Sequence, residues 1–180
     1  MKKILNILFL VVCLVSCKKF IDINSDPDTT QNPSNSSVLP AVLASIPTNM
    51  QSDGLLYVAK YTQNWLTGSS ANANVWDQQG YSWSGAVAGG AWTMTYVSFG
   101  KNLSYLMENA VKTNQPEFLG VALALRAYSF QHTTDYNSDI IFHDAFKDSL
   151  FSFKYEGQDT RYKGVDSICR EALTYLNQAI

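Results

Sequence analysis

Between residues 92 and 111 the apolar side chains keep helical time. Trp92, Tyr96, Phe99, Leu103, Leu106 and Ala110 recur at steps of 4, 3, 4, 3 and 4, which places them along one face of an α-helix. Gly100 interrupts the middle of this seam and is expected to mark a close-packing point. Asn114, Gln115, Pro116 and Glu117 then read as N-cap, turn and first-turn acid of a following helix. That helix runs to about Thr134, with Phe118, Val121, Ala122, Leu125, Tyr128 and Ser129 on one side. So few residues lie between the two that they should pair as an antiparallel hairpin.

Weaker patterns flank this pair. Residues 38–46 form a short helix, with Ser37 as N-cap, Pro40 in its first turn and Pro47 as its stop. Residues 53–66 form another, with Leu55, Ala59, Thr62 and Leu66 on one face and Leu56 and Trp65 beside it. A last helix begins near Thr160 and carries Val165, Ile168, Ala172, Leu176 and Ala179. The prediction is an all-α fold of tetratricopeptide-like helical hairpins, which bury their faces against stacked neighbours, joined by long irregular loops. The last helical pattern is still running at Ile180, so residues 38–180 are expected to be the N-terminal part of a larger helical domain.

Three stretches lack a helical period. Residues 18–37 are polar and rich in Asn, Asp, Ser, Thr and Pro, with little to bury. Residues 67–91 hold Gly, Ser, Ala and Asn around Trp76, Tyr81 and Trp83, and four glycines (Gly80, Gly85, Gly89, Gly90) break any regular element. Residues 135–153 mix acids with aromatics. Long loops inside compact domains are commonly functional or disordered.

The N-terminus adds an address. Lys2 and Lys3 precede an apolar run from Ile4 to Val15, broken only by Asn6. The run is about twelve residues, short of the roughly 20 that span a bilayer, and fits the apolar region of a secretory signal. Leu14, Val15, Ser16 and Cys17 then form a lipobox, whose chemistry requires the cysteine thiol to take the lipid. Residues 1–16 are thus read as signal peptide, Cys17 as the lipidated N-terminus and residues 17–37 as a lipid-anchored tether. Two or three acyl chains are enough for stable anchoring, where one is not.

Composition narrows the chemistry. The chain carries a net charge of −2, made more acidic when Lys2 and Lys3 leave with the signal. It has no basic run, which argues against nucleic acid. Cys13 departs with the signal and Cys17 is acylated, leaving Cys169 without a disulfide partner and on the apolar side of its helix. Four Trp, ten Tyr and nine Phe mean that large rings are either buried or shown to a ligand. Trp76, Tyr81 and Trp83 offer flat faces for the C–H surfaces of a sugar, with Asp77, Gln78 and Gln79 alongside for its hydroxyls. Trp92 opens the helical seam and reads as core. His132 and His143, with Asp135, Asp139 and Asp144 nearby, have no recognised metal-ligand spacing. No nucleophile motif is present, and no cofactor is expected. Arg126, on the helix face near the acids, is expected to make a structural ion pair.

Four stretches together carry a resemblance. Phe20 to Asp28, reading F-I-D-I-N-S-D-P-D, follows the lipobox. Tyr61-Thr62-Gln63-Asn64-Trp65 ends an early helix. Trp92 and Tyr96 open the long helix after an aromatic loop. Ala124-Leu125-Arg126-Ala127-Tyr128 leads into Asp135-Tyr136-Asn137-Ser138-Asp139-Ile140-Ile141-Phe142-His143-Asp144-Ala145. In this order and spacing they resemble the N-terminal part of the SusD/RagB family of outer-membrane nutrient-binding lipoproteins, in the SusD-like, starch-binding-associated branch. Ser138 stands where that family has Gly, and Ile141 where it has Pro. Asp22 comes only after Lys18 and Lys19, later than the acids of the family's surface-export signal.

The resemblance implies a mostly helical fold and a binding protein rather than an enzyme. It also implies a Bacteroidetes outer membrane, with display on the cell surface, and a TonB-dependent SusC-like transporter as partner. The ligand it implies is an oligosaccharide, or in some members a peptide. Two other readings stand beside it: a truncated, non-binding remnant of such a protein, and a lipid-anchored glycoside hydrolase using an acid pair such as Asp135 and Asp139.

Overall fold

A computed structural model of the chain describes residues 30–51, 58, 62 and 89–180. The predicted signal, Cys17, most of the tether, nearly all of the 53–66 helix and the aromatic part of the 67–91 loop lie outside the described residues.

Helix α1 spans Asn35–Met50 and is longer at both ends than the sequence suggested. Pro47 does not stop it. A proline removes a donor and leaves a carbonyl one turn back unpaired. Side chains supply further bonds along this stretch: Ser45 Oγ donates to the Val42 carbonyl at 2.7 Å and Asn49 Nδ2 to the Ser45 carbonyl at 2.7 Å. Val42 is fully buried and ties α1 to the core.

The predicted seam helix is a relay of three pieces: α2 (Gly89–Thr93), a π-helical segment (Met94–Phe99) and α3 (Gly100–Lys112). It begins three residues earlier than expected, with Gly90 and Ala91 buried. The wider π turn accommodates an extra residue and changes the register of the face. Phe99, Leu103, Leu106 and Ala110 are buried as their spacing predicts, but upstream the fully buried positions are Met94 and Thr95, while Trp92 and Tyr96 are half-buried. Gly100 is the expected close-packing point, for a Cβ there would run into the Phe146 ring.

Helix α4 spans Pro116–Asn137, with Pro116 in its first turn and Glu117 as its first-turn acid. Gln115, not Asn114, occupies the N-cap position. Asn114 instead turns the chain with a φ of 53°, a conformation asparagine tolerates better than most residues. The Gln115 side chain accepts from Asn35 Nδ2 at 2.6 Å, and Asn109 Nδ2 donates to Asn35 Oδ1 at 2.9 Å. This buried amide network fixes the start of α1 on the hairpin.

α4 buries Leu119, Ala122, Leu123, Ala127, Phe130, Thr133 and Thr134, so its packed surface is broader than the single face predicted. The reason is its central place. Its start packs against Ala110 at the end of α3, and its later turns meet Thr95, whose hydroxyl donates to the Ser129 carbonyl at 2.9 Å. Its other side takes α5 (Gln158–Gln178), where Gly120 lies against Leu176 and Ala172 and Thr134 against Arg161. Both pairings are antiparallel, as a row of helical hairpins requires.

Between α4 and α5 lies a ribbon that no periodicity announced. β1 (Ile140–Ile141) pairs antiparallel with β2 (Tyr155–Glu156), Ile140 opposite Glu156 and Ile141 opposite Tyr155. Cys169 is exposed rather than on the apolar face. The packed stripe of α5 runs through Arg161, Val165, Ile168, Ala172 and Tyr175, and Cys169 lies one position beside it.

Candidate functional site

Trp76, Asp77, Tyr81 and Trp83, the sugar candidates of the sequence, lie outside the described residues, as does Cys17. The second stretch of interest, Asp135 to Phe153, is described in full; the sequence predicts it irregular throughout, but Asp135 to Asn137 are the last turn of α4 and the loop begins at Ser138, held at several points.

Its first anchor is a buried cation. The side chain of Arg161 is fully buried, donating from Nε to Thr134 Oγ1 at 2.7 Å and from Nη2 to the Ser138 carbonyl at 2.5 Å. Thr134 Oγ1 donates to that same carbonyl at 2.7 Å. Asp139, largely exposed, lies 3.8 Å from the guanidinium. Ser138 has a φ of 61°, which glycine adopts freely and serine does not. The bonds from Thr134 and Arg161 hold it there, so the positive φ is kept without a glycine.

The second anchor closes the loop at the ribbon. His143 meets the Glu156 carboxylate twice, through its backbone N–H at 2.8 Å and through Nδ1 at 2.6 Å. Burial pushes the Glu156 carboxyl up, but the two His143 bonds outweigh it and hold its pKa below the ordinary value of 4.5. The Lys147 ammonium likewise holds Asp144 low. A carboxyl with a depressed folded pKa stabilises the fold above its unfolded pKa, and that contribution is lost as pH falls through the folded pKa. His143→Ala removes the imidazole bond and keeps the backbone one, and is expected to cost on the order of 1 kcal/mol at neutral pH, with the deficit shrinking as pH falls below the ordinary carboxyl value and through the lowered one of folded Glu156. Thermal melts of both proteins across that range check this; a deficit independent of pH would mean that the charge of Glu156 plays no part.

The remaining polar groups are engaged separately. Tyr162 donates to Asp135 at 2.6 Å. His132 stacks on Tyr128 with ring centroids 5.8 Å apart and meets Tyr136, tilted against it, at 4.8 Å. Among the described residues no group of three or more metal-binding side chains gathers. Arg126 does not make the expected ion pair with the nearby acids. It donates to the Gly100 carbonyl at 3.1 Å and to Ser104 Oγ at 2.8 Å, and its guanidinium lies 4.8 Å from the centre of the Phe146 ring. Burial pulls its pKa down to about 10, still cationic at neutral pH. Its fork faces the start of α3, where carbonyl and hydroxyl oxygens are closer to hand than any acid.

These anchors frame a cleft. Trp92, Tyr96, Ile141, Ala145, Phe146 and Phe153 line a half-open space of about 210 Å³. Trp92, expected in the core, forms a wall of it. Its ring is tilted against Tyr96 at 4.4 Å and stacked on Tyr155 at 6.2 Å. The Tyr96 hydroxyl donates to the Ile141 carbonyl at 2.5 Å, and burial raises its pKa well above the usual phenol range. The lining has no nucleophile beside a base and no pair of acids, so its chemistry is stacking and shape. Phe151, Phe153 and Tyr155 alternate with polar residues. Of these, Phe153 lines the cleft and Tyr155 stacks on Trp92, while Phe151 is fully exposed.

The chain matches the family model SusD-like_2, described as starch-binding associating with outer membrane, over residues 27–179. No curated protein matches it.

Proposed function

Because this chain belongs to the SusD-like family, we propose that it is a lipid-anchored glycan-binding protein of the outer membrane, delivering its ligand to a TonB-dependent SusC-like transporter. The observation that carries this reading is the extent of the family match, which takes in the helical core and both candidate loops. Attachment in this reading is by acylation of Cys17, in the lipobox formed by Leu14, Val15, Ser16 and Cys17. Display is on the cell surface, where an oligosaccharide meets the protein before the transporter.

The Gly-rich loop supplies the first ligand contacts through Trp76, Tyr81 and Trp83, with Asp77 bonding to hydroxyls. Binding without hydrolysis is the reading the second loop supports. Asp135 is tied to Tyr162 and Asp139 faces Arg161, which leaves neither as an unengaged acid of the kind a glycosidase uses.

The test is a pull-down from the native membrane in mild detergent, with the intact mass of the bait and affinity gels cast with starch and other glycans. A co-purifying transporter barrel, an acylated Cys17 and retarded migration on a glycan gel are expected. The triple change of Trp76, Tyr81 and Trp83 to Ala should abolish the retardation and leave the thermal melt nearly unchanged. A bait that travels alone and passes every gel freely would overturn the reading.

A further inference from the structure

The ribbon loop carries an exposed ring close to an empty apolar cleft, and we propose that the two join a pair of copies of this chain: Phe151 of each copy enters the cleft of the other. The inference is independent of which ligand the protein carries.

The receiving site is the cleft between the π-helical segment and the loop. Its lining of Trp92, Tyr96, Ile141, Ala145, Phe146 and Phe153 carries no charge, and the Tyr96 hydroxyl is spent on the Ile141 carbonyl. A polar occupant would lose its bonds to water there without replacing them, so the occupant is apolar. A dry apolar cavity of about 150 Å³ takes one benzene ring. The 210 Å³ here, open on one side, is the size for one phenyl ring.

The inserting group lies two residues from the wall of that cleft. Phe153 lines it, while Phe151 is fully exposed. The stem that carries Phe151 is held. The Leu150 N–H donates to the Lys147 carbonyl at 3.2 Å, and the loop is closed by His143 on Glu156. A ring presented on a closed loop loses less entropy when it is covered than one on a free strand. With the ring and the cleft on one short segment, a two-fold axis between two copies can satisfy both contacts at once, the self-complementarity that an isologous dimer requires.

Charge permits the approach. Asp144, Asp148 and Glu156 are answered by Lys147, Lys101 and His143, so the rim is mixed and two copies do not repel. An anionic lipid surface would instead select a surplus of lysine. Area sets the strength. Phe153 is 41 % exposed and Tyr155, stacked on Trp92, is 54 % exposed. With Phe151 they offer roughly 300–500 Å² per copy, against roughly 800 Å² per partner in a standard interface. The pair is therefore weak and concentration-dependent.

The experiment is analytical ultracentrifugation of the mature protein over a concentration series from low micromolar to submillimolar, with three variants. Phe151→Asp removes the inserting ring at an exposed position, Ala145→Leu fills the cleft, and Val111→Asp alters an exposed apolar residue at the other end of α3. The wild type should show a monomer–dimer equilibrium, weakened at least about tenfold by each of the first two changes and unmoved by the third. Melts of Phe151→Asp and Val111→Asp should match the wild type; should Ala145→Leu melt lower, Phe151→Asp decides alone. An equal mixture of Phe151→Asp and Ala145→Leu can form one of the two contacts and should pair more tightly than either variant by itself. A wild type that stays monomeric throughout, or a dimer indifferent to Phe151→Asp, overturns the proposal. Equal weakening by Val111→Asp overturns it as well, since the association would then be unspecific. A monomeric wild type whose transporter barrel is lost from the pull-down on Phe151→Asp also overturns it, and assigns the ring to that partner.

Discussion

Arg161→Ala is expected to lower the stability of the fold by about 3–5 kcal/mol, the scale of losing charge-assisted hydrogen bonds together with a large buried side chain. Three losses combine. The Ser138 carbonyl and Thr134 Oγ1 each lose a donor. The fully buried side chain leaves a void between α4 and α5. Ser138, at a φ of 61°, loses a bond that keeps it there, so the start of the ribbon loop should loosen with it. A second variant separates packing from charge. Arg161 Nη1 is buried and finds no hydrogen-bond partner, so the cation is itself incompletely satisfied. Arg161→Met keeps most of the volume and removes that burden, and should cost clearly less than the alanine. Chemical denaturation of both variants measures this. Equal losses would mean that the hydrogen bonds alone matter and that the volume and the unpaired nitrogen do not.

Gly120→Leu is expected to destabilise by about 1–3 kcal/mol, the usual cost of overfilling a packed interface. A Cβ at Gly120 would lie 2.7 Å from Leu176 Cγ and 3.0 Å from the Ala172 carbonyl oxygen. Leu176 can turn away, but the carbonyl is backbone, so α5 itself must shift. The intrinsic gain of replacing helical glycine, about 1 kcal/mol, works against the penalty and does not cancel it. Gly89→Ala is the control, because its Cβ meets nothing within 4 Å. Melts should show the first variant clearly below the wild type and the second close to it. A stable Gly120→Leu protein would mean that α4 and α5 can slide past each other freely.

Much of this architecture is legible in the amino-acid sequence. The spacing of Phe99, Leu103, Leu106 and Ala110 marks the face that is buried, and Pro116 with Glu117 marks the next helix start. The all-α fold follows from patterns of that kind, and the family from the four stretches that resemble it. What escaped has physical reasons. A π-helical segment adds a residue without leaving a special residue type behind, so Trp92 and Tyr96 read as core when they are half-buried. A central helix packed by α3 and α5 has no single apolar face to detect. A ribbon of two residues per strand is too short to show alternation of its own. Arg161 is charged, and charged residues are rarely fully buried.

The site was less legible than the fold. The cleft draws Trp92 and Tyr96 from one helix and Phe146 and Phe153 from a loop about fifty residues later, and only the hairpin brings them together. The positions chosen from the sequence, Trp76, Asp77, Tyr81 and Trp83, lie outside the described residues, and their role stands on the glycan-binding reading.

The π turn between Met94 and Phe99 also sets how such a cleft can change over evolutionary time. A substitution there alters one side chain and leaves the phase of the helix as it is. Deleting one residue from the turn would restore the ordinary helical phase, rotate Trp92 and Tyr96 by about 100° relative to α3, and swing both rings away from the ribbon loop. Gain or loss of a single codon is thus one step that opens or closes this surface in a lineage.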